Sequence, residues 1–202
     1  MSGSRLEKMR EEEREARKTI SVEAAVRLFG ARPYHQVGMR EIAAEAGLSP
    51  ASIYRYFSDR DDLFVEALLR ESRAIVEGFQ GRAAQDPPAG LRPIAGHFVE
   101  CLLERGAFFQ MMTHFMVDGG ISPEAVGRFN AIERGFVDFF EQAFQDLGIR
   151  ENARLRAHAF FAALNGVLIT FWSYPGRRPE ETRRHMLRLA GLIAETFEKD
   201  AG

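Results

Sequence analysis

At 202 residues, 46% of them hydrophobic and 28% charged, the chain can fill a packed core and is too little biased for disorder. It is long enough for two domains, expected at residues 1–65 and 66–202. A formal net charge of -2 excludes attraction to nucleic acid by bulk positive charge, leaving only charge placed on one face, and the single cysteine, Cys101, excludes an internal disulfide and a CxxC zinc pair. The start of the chain is charged with no apolar leader, and the longest apolar run, 159–164, is too short to span a bilayer, so a cytoplasmic protein with no membrane partner is expected.

In chain order, residues 1–4 read as a tail and 5–18 as a charge-rich helical run with many i,i+4 pairs of Glu with Arg or Lys. That run is either a solvated extension or an arm that touches the DNA backbone. From Ile20 an amphipathic helix carries Ala24, Leu28, Val22, Ala25 and Phe29 inward and ends at Gly30. A turn at Pro33 and Tyr34 leads to a helix over 39–46, with Met39, Ile42, Ala43 and Ala46 on one face. Gly47 then closes the helix, Leu48 packs back on it, and Ser49 with Pro50 opens the next. This next helix, 50–57, turns Ile53 and Phe57 inward and leaves Ser52, Tyr54, Arg55 and Tyr56 around the rest. Two short helices joined by a glycine turn, the second too polar for a core, form the helix-turn-helix that reads a major groove. Arg32, His35, Arg40, Arg55 and Arg60 against Glu41, Glu45 and Asp59 give the stretch a modest positive excess.

A long fourth helix starts with Ser58 as cap and carries Leu63, Phe64, Ala67, Leu68, Ile75 and Phe79 along one side. Residues 81–93, with Pro87 and Pro88, read as a loop. Helices follow over 94–105, over 107–117 ended by Gly119 and Gly120, from Ser122 and Pro123 to 147, over 152–173 and over 179–199. With no strand alternation and no repeat, the fold class is all-α with about nine helices: an N-terminal three-helix helix-turn-helix domain, then a helical domain for ligand binding and dimerisation.

The run Arg-Glu-Ile-Ala-x-x-Ala-Gly-Leu-Ser-x-x-x-Ile-Tyr-x-Tyr-Phe-x-x-Arg-x-x-Leu, from Arg40 to Leu63, resembles the DNA-binding domain of TetR-type transcriptional regulators. By motif the resemblance covers residues 20–68; beyond that only chain length and helix count agree. It implies that the second helix enters the major groove, with Ser52, Tyr54 and Arg55 at or near bases and Arg40, Tyr56 and Arg60 on phosphates, flanked by Ser49 and Ala51. It also implies a repressor that binds a palindromic operator. Where such regulators often carry a Thr or Ser pair before the first helix, and Lys-Gly-Thr at the start of the second, this chain has Val37 and Gly38, and Pro50, Ala51 and Ser52.

The second domain is dense in Phe and Met. Core packing accounts for most of this, but polar groups set among the rings suggest a pocket for a small apolar or aromatic effector, lined by His97, Cys101, Phe108, Met111, Met112, His114, Phe115, Phe136, Phe140, Asn165 and Trp172. Residues 155–172 are apolar on nearly every side, which implies burial on two faces and hence a homodimer through Leu155, Ala159, Ala162, Ala163, Met186, Leu189, Ile193 and Phe197. No cofactor or metal is expected, since His97 and Cys101 have no third ligand at matching spacing. The alternatives are a small helical enzyme using Cys101 as nucleophile with His97 or His114 as base, and a constitutive DNA-architectural protein, which needs no Phe-rich domain.

Overall fold

The 3.6-residue patterning produces helices throughout the computed structural model, which describes residues 2–85, 89–117, 123–172 and 174–199. Among these residues lie α1 (Ser2–Ala31), α2 (Met39–Glu45), α3 (Pro50–Ile53), α4 (Arg60–Gln85), α5 (Leu91–Glu104), α6 (Gly106–Val117), α7 (Pro123–Asp146), α8 (Ala153–Phe171) and α9 (Pro179–Lys199). A 3₁₀ turn at Tyr34–Gln36 precedes α2. Packing divides the chain into two units, Met1–Glu71 with Ala107–Val126, and Ser72–Gly106 with Gly127–Gly202. The division within α4 falls at 71/72, six residues beyond the expected 65/66, and α6 belongs with the N-terminal helices.

Several expected boundaries move. Tail, charged run and first helix are one helix, α1, tied along its exposed part by Arg17 to Glu13 at 2.7 Å and Arg14 to Glu11 at 3.4 Å. α4 continues through Gly81 to Gln85, where a loop was expected, because one glycine costs a helix only about 1 kcal/mol. Its cap is Asp59, whose Oδ1 accepts from the Asp62 amide at 2.8 Å; the Ser58 amide in turn donates to Asp62 Oδ2 at 3.1 Å. α5 starts at Leu91 with Pro93 in its first turn, where a proline removes no helical bond. Pro87, Pro88, Gly119, Gly120, Ser122 and Ser173 lie outside the described residues.

In the first unit, Val22, Ala24, Ala25 and Phe29 of α1 pack in one core with Met39, Ile42, Ala43, Ile53, Phe57, Leu63, Phe64 and Leu68, and with Phe108, Phe109, Met111 and Met112 of α6. α1 and α6 meet at Gly30, where an added Cβ would lie 2.2 Å from the Cβ of Ala107. The second unit is built on edge-to-face phenylalanines: Phe98 meets Phe136 at 5.7 Å and Phe140 at 5.5 Å, and Phe160 joins Phe140 at 5.2 Å to Phe197 at 5.4 Å. Ion pairs lace its helices, α5 to α9 through Arg183 and Glu100 at 2.7 Å and through Arg92 and Glu195, and α7 to α8 through Arg154 with Glu141 and Asp138.

Candidate nucleic-acid interface and helical-domain sites

The helix-turn-helix is framed by backbone bonds. Gly47 has φ +65°, its amide donates to the Ala44 carbonyl at 3.1 Å, and the Leu48 amide reaches the Ala43 carbonyl at 2.9 Å; this closing turn satisfies the last carbonyls of α2 and needs the left-handed conformation that glycine adopts freely. At the other end of α2 the Gly38 amide donates to Glu41 Oε2 at 3.0 Å. That bond, with the Arg32 guanidinium at 3.0 Å from Oε1, holds the Glu41 carboxyl below its usual range. Ser49 caps α3 by accepting from the Ser52 amide at 3.2 Å, and the two hydroxyls lie 3.0 Å apart. The α-helix expected over 50–57 ends at Ile53, because the Tyr56 amide bonds back three residues to the Ile53 carbonyl at 2.9 Å and tightens the turn.

Within that frame Ile53 and Phe57 are buried, whereas Arg40, Ala51, Tyr54 and Arg55 are exposed, Tyr54 at 53%. A phenol left that open on a short helix contributes little to the fold and is available to a partner. Tyr56 and Ser52 are half-buried. Arg60 is engaged inside the unit: its guanidinium lies 4.0 Å from the Tyr34 ring centroid and donates to the Val37 carbonyl at 3.3 Å. Tyr34 itself donates to Asp61 and stacks on His114 at 4.5 Å.

The residues expected to line a pocket divide between the two units. Phe108, Met111 and Met112 are buried in the first unit and His114 stacks there on Tyr34; the side chain of Phe115 lies outside the described residues. His97, Cys101, Phe136, Phe140, Asn165 and Trp172 belong to the second. His97 stacks on Phe79 at 4.9 Å and accepts from Arg82 at its Nδ1, 2.9 Å away. Burial first, and Arg82 next, lower its pKa, so the imidazole is held neutral. Burial pushes the half-buried Cys101 thiol up, away from the thiolate a nucleophile needs. Asn165 is 5% exposed; its amide nitrogen donates to the Phe161 carbonyl at 2.9 Å, and no described group donates to its Oδ1. One turn away on α8, Phe161 packs on Phe98 and Phe136, both at 5.9 Å. Sequence reasoning passed over Glu133, whose carboxyl is raised by burial against the opposing pull of His158; an acid set between Phe129 and Phe136 was the available signal.

The expected dimer stripe is corrected in part. Met186 is 1% exposed, and Phe197 packs on Phe160 and Phe144, so these two face their own unit. Leu189, Ile193 and Ala163 are half-buried. The exposed apolar stripe runs along α8 through Leu155 at 68%, Ala159, Ala162, Gly166 and Ile169 at 50%, a spacing that keeps one helix face; on α9, Leu192 is 59% exposed.

Residues 22–67 match the family model for bacterial regulatory proteins of the tetR family. Over those residues the chain carries a TetR-family domain. Within that family its curated likeness is local: an uncharacterised HTH-type transcriptional regulator of Mycobacterium tuberculosis is 44% identical over 54 residues, 27% of each chain. The chain thus spans about a quarter of that relative's length. Solved structures extend the likeness in fold to most of the chain. One from Mesorhizobium loti, assigned to the TetR family, has a TM-score of 0.76 at 19% identity, covering 94% of this chain and 98% of its own. The FadR transcriptional regulator of Bacillus subtilis, solved in complex with stearoyl-CoA, has a TM-score of 0.70 at 17% identity, covering 89% and 96%. Among the described residues of this TetR-family chain no helix is long and apolar enough to cross a membrane, and no three His, Cys, Asp or Glu side chains converge as metal ligands.

Proposed function

We propose that this TetR-family chain is a cytoplasmic transcriptional repressor, a homodimer that binds a palindromic operator and leaves it when a small, mainly apolar effector binds the second unit. The observation that carries the reading is the exposure of Tyr54 and Arg55 beside buried Ile53 and Phe57, at the end of a short helix whose start is fixed by the Gly47 turn and the Ser49 cap. Bases are read by such side chains, presented twice at half-sites roughly 34 Å apart. The uninterrupted apolar face of α8 supports the dimer. The phenylalanine cluster and the buried, unpartnered Asn165 Oδ1 support an apolar effector bearing a donor, and the Bacillus subtilis neighbour was solved with a ligand that carries a long apolar acyl chain, stearoyl-CoA. The raised Cys101 thiol speaks against the enzyme alternative.

Selection of duplexes from a random pool, followed by titration of the selected site, tests the reading. Tyr54→Ala and Arg55→Ala are each expected to weaken the selected site by about 1–3 kcal/mol and random DNA far less. Equal losses on both kinds of DNA, or none, refute base reading by α3.

A further inference from the structure

α1 carries one face along its whole length. Ser21, Ala24 and Leu28 lie on that face in the packed part of the helix, Ser21 and Ala24 fully buried. Continued toward the N-terminus at the same alternation of three and four residues, the face passes through Arg17, Arg14 and Arg10. The overhanging part of α1 therefore turns a row of arginines to the side on which the rest of the helix meets the reader. Glu12, Glu15 and Lys8 fall on the other side, Lys8 paired with Glu12 at 3.9 Å. Between that row and the second helix of the helix-turn-helix lies a cleft of about 490 Å³, lined by Arg10, Arg14, Arg17, Glu11 and Glu13 from α1 and by Arg55 and Tyr56. Its two carboxylates are held by its own arginines, Glu11 by Arg14 and Glu13 by Arg17. Arg10 and Arg55, on opposite walls, form no hydrogen bond or ion pair among the described residues.

We propose that this cleft seats the sugar-phosphate backbone of one operator strand, gripped by Arg10 from the α1 wall while Arg55, on the facing wall, reaches past it to the bases. The inference rests on the operator reading and extends the contact beyond the segment that matches the family model. Charge and continuity select the occupant. The cleft has an excess of guanidinium groups and begins at the residues proposed to meet bases, so a duplex engaged by α3 already brings a polyanion to its mouth. Arg10 to Arg17 span about 10 Å along the helix, about three base steps of 3.4 Å on one strand. The segregation lets an overhang with nearly as many acids as bases present positive charge on one side: Glu12 and Glu15 lie on the other side of α1, and Glu11 and Glu13 are paired within the cleft.

The test uses the full chain and the duplex that the unmutated protein selects. Arg10→Gln is expected to bind it about fivefold more weakly at 0.15 M salt, to lower the slope of log K against log salt by about 0.9, and to weaken random DNA by the same factor with base preference unchanged. Lys8→Gln, the same charge loss on the opposite face of the same helix, is expected to leave affinity and slope unaltered. Thermal melts of both variants should match the unmutated protein, since both side chains are exposed. If Arg10→Gln behaves as Lys8→Gln does, with the operator still bound, the cleft does not hold DNA and the inference falls alone. If the unmutated protein enriches no duplex, the operator reading falls, and this inference with it.

Discussion

Replacing Gly30 by alanine sets two opposed effects against each other, and the structure decides between them. In an open helical position the change relieves about 0.5–1 kcal/mol of backbone entropy, and less in the last turn, where Gly30 sits. Here, however, the new methyl would lie 2.2 Å from the Cβ of Ala107 and 2.8 Å from its Cα, so helix backbone must shift as well as a side chain. Overpacking of that kind costs about 1–3 kcal/mol. The expected net result is a loss of about 1–2 kcal/mol, or a Tm lower by roughly 2–8 °C for a chain of this size. Circular dichroism at 222 nm during heating and urea titration measures it. Gly78→Ala, in the middle of α4 with nothing within 4 Å of the added methyl, is the control and should be neutral or stabilising. A Gly30→Ala protein as stable as Gly78→Ala would refute the idea that α1 and α6 are in close contact at this point.

Charge on the exposed face of α8 should divide the dimer: Leu155→Glu with Ile169→Glu is expected to sediment as a monomer at micromolar concentration with unchanged helicity, while a variant that remains dimeric points to another interface. Asn165→Leu removes a buried oxygen without a donor at similar volume and should raise stability by about 1–3 kcal/mol while weakening any effector that carries a donor; a lower Tm in chemical denaturation or heating means the oxygen is satisfied as it stands. For Glu41 the folded carboxyl is held below the ordinary 4.5, so its bonds to Gly38 and Arg32 stabilise above that pH and are lost as the pH falls through the folded value. Glu41→Gln should therefore be less stable than the unmutated chain at pH 7 and indistinguishable from it well below pH 4; a gap in Tm that stays constant with pH would contradict the sign.

What the sequence made legible was local. Gly47 after an apolar stripe, Ser49 before Pro50, and Gly148 after α7 each announce a turn through a backbone need of their own, and each turn is found where the pattern placed it. Matters decided at long range were not legible. α8 is apolar on so many sides that periodicity could not say which side its own unit covers, and the same ambiguity assigned Met186 and Phe197 to a partner when they pack inward. His114 among phenylalanines and methionines looked like a pocket residue; only the pairing of α6 with the N-terminal helices reveals that its ring stacks on Tyr34. Arg60, expected on a phosphate, is engaged within its own unit, and nothing in its sequence neighbourhood announces the Tyr34 ring beneath it.

The turn between α2 and α3 is held by main-chain bonds, by one glycine and by one serine cap, while the side chains that anchor α3, Ile53 and Phe57, point the other way from Tyr54 and Arg55. Frame and lettering are thereby uncoupled. Ala51, Tyr54 and Arg55 can be exchanged at little cost to folding, because none of them fills the core or supplies a cap. A lineage built on this frame can drift from one binding site to another by surface substitutions alone, and an engineer can randomise those three positions with the expectation that most variants still fold.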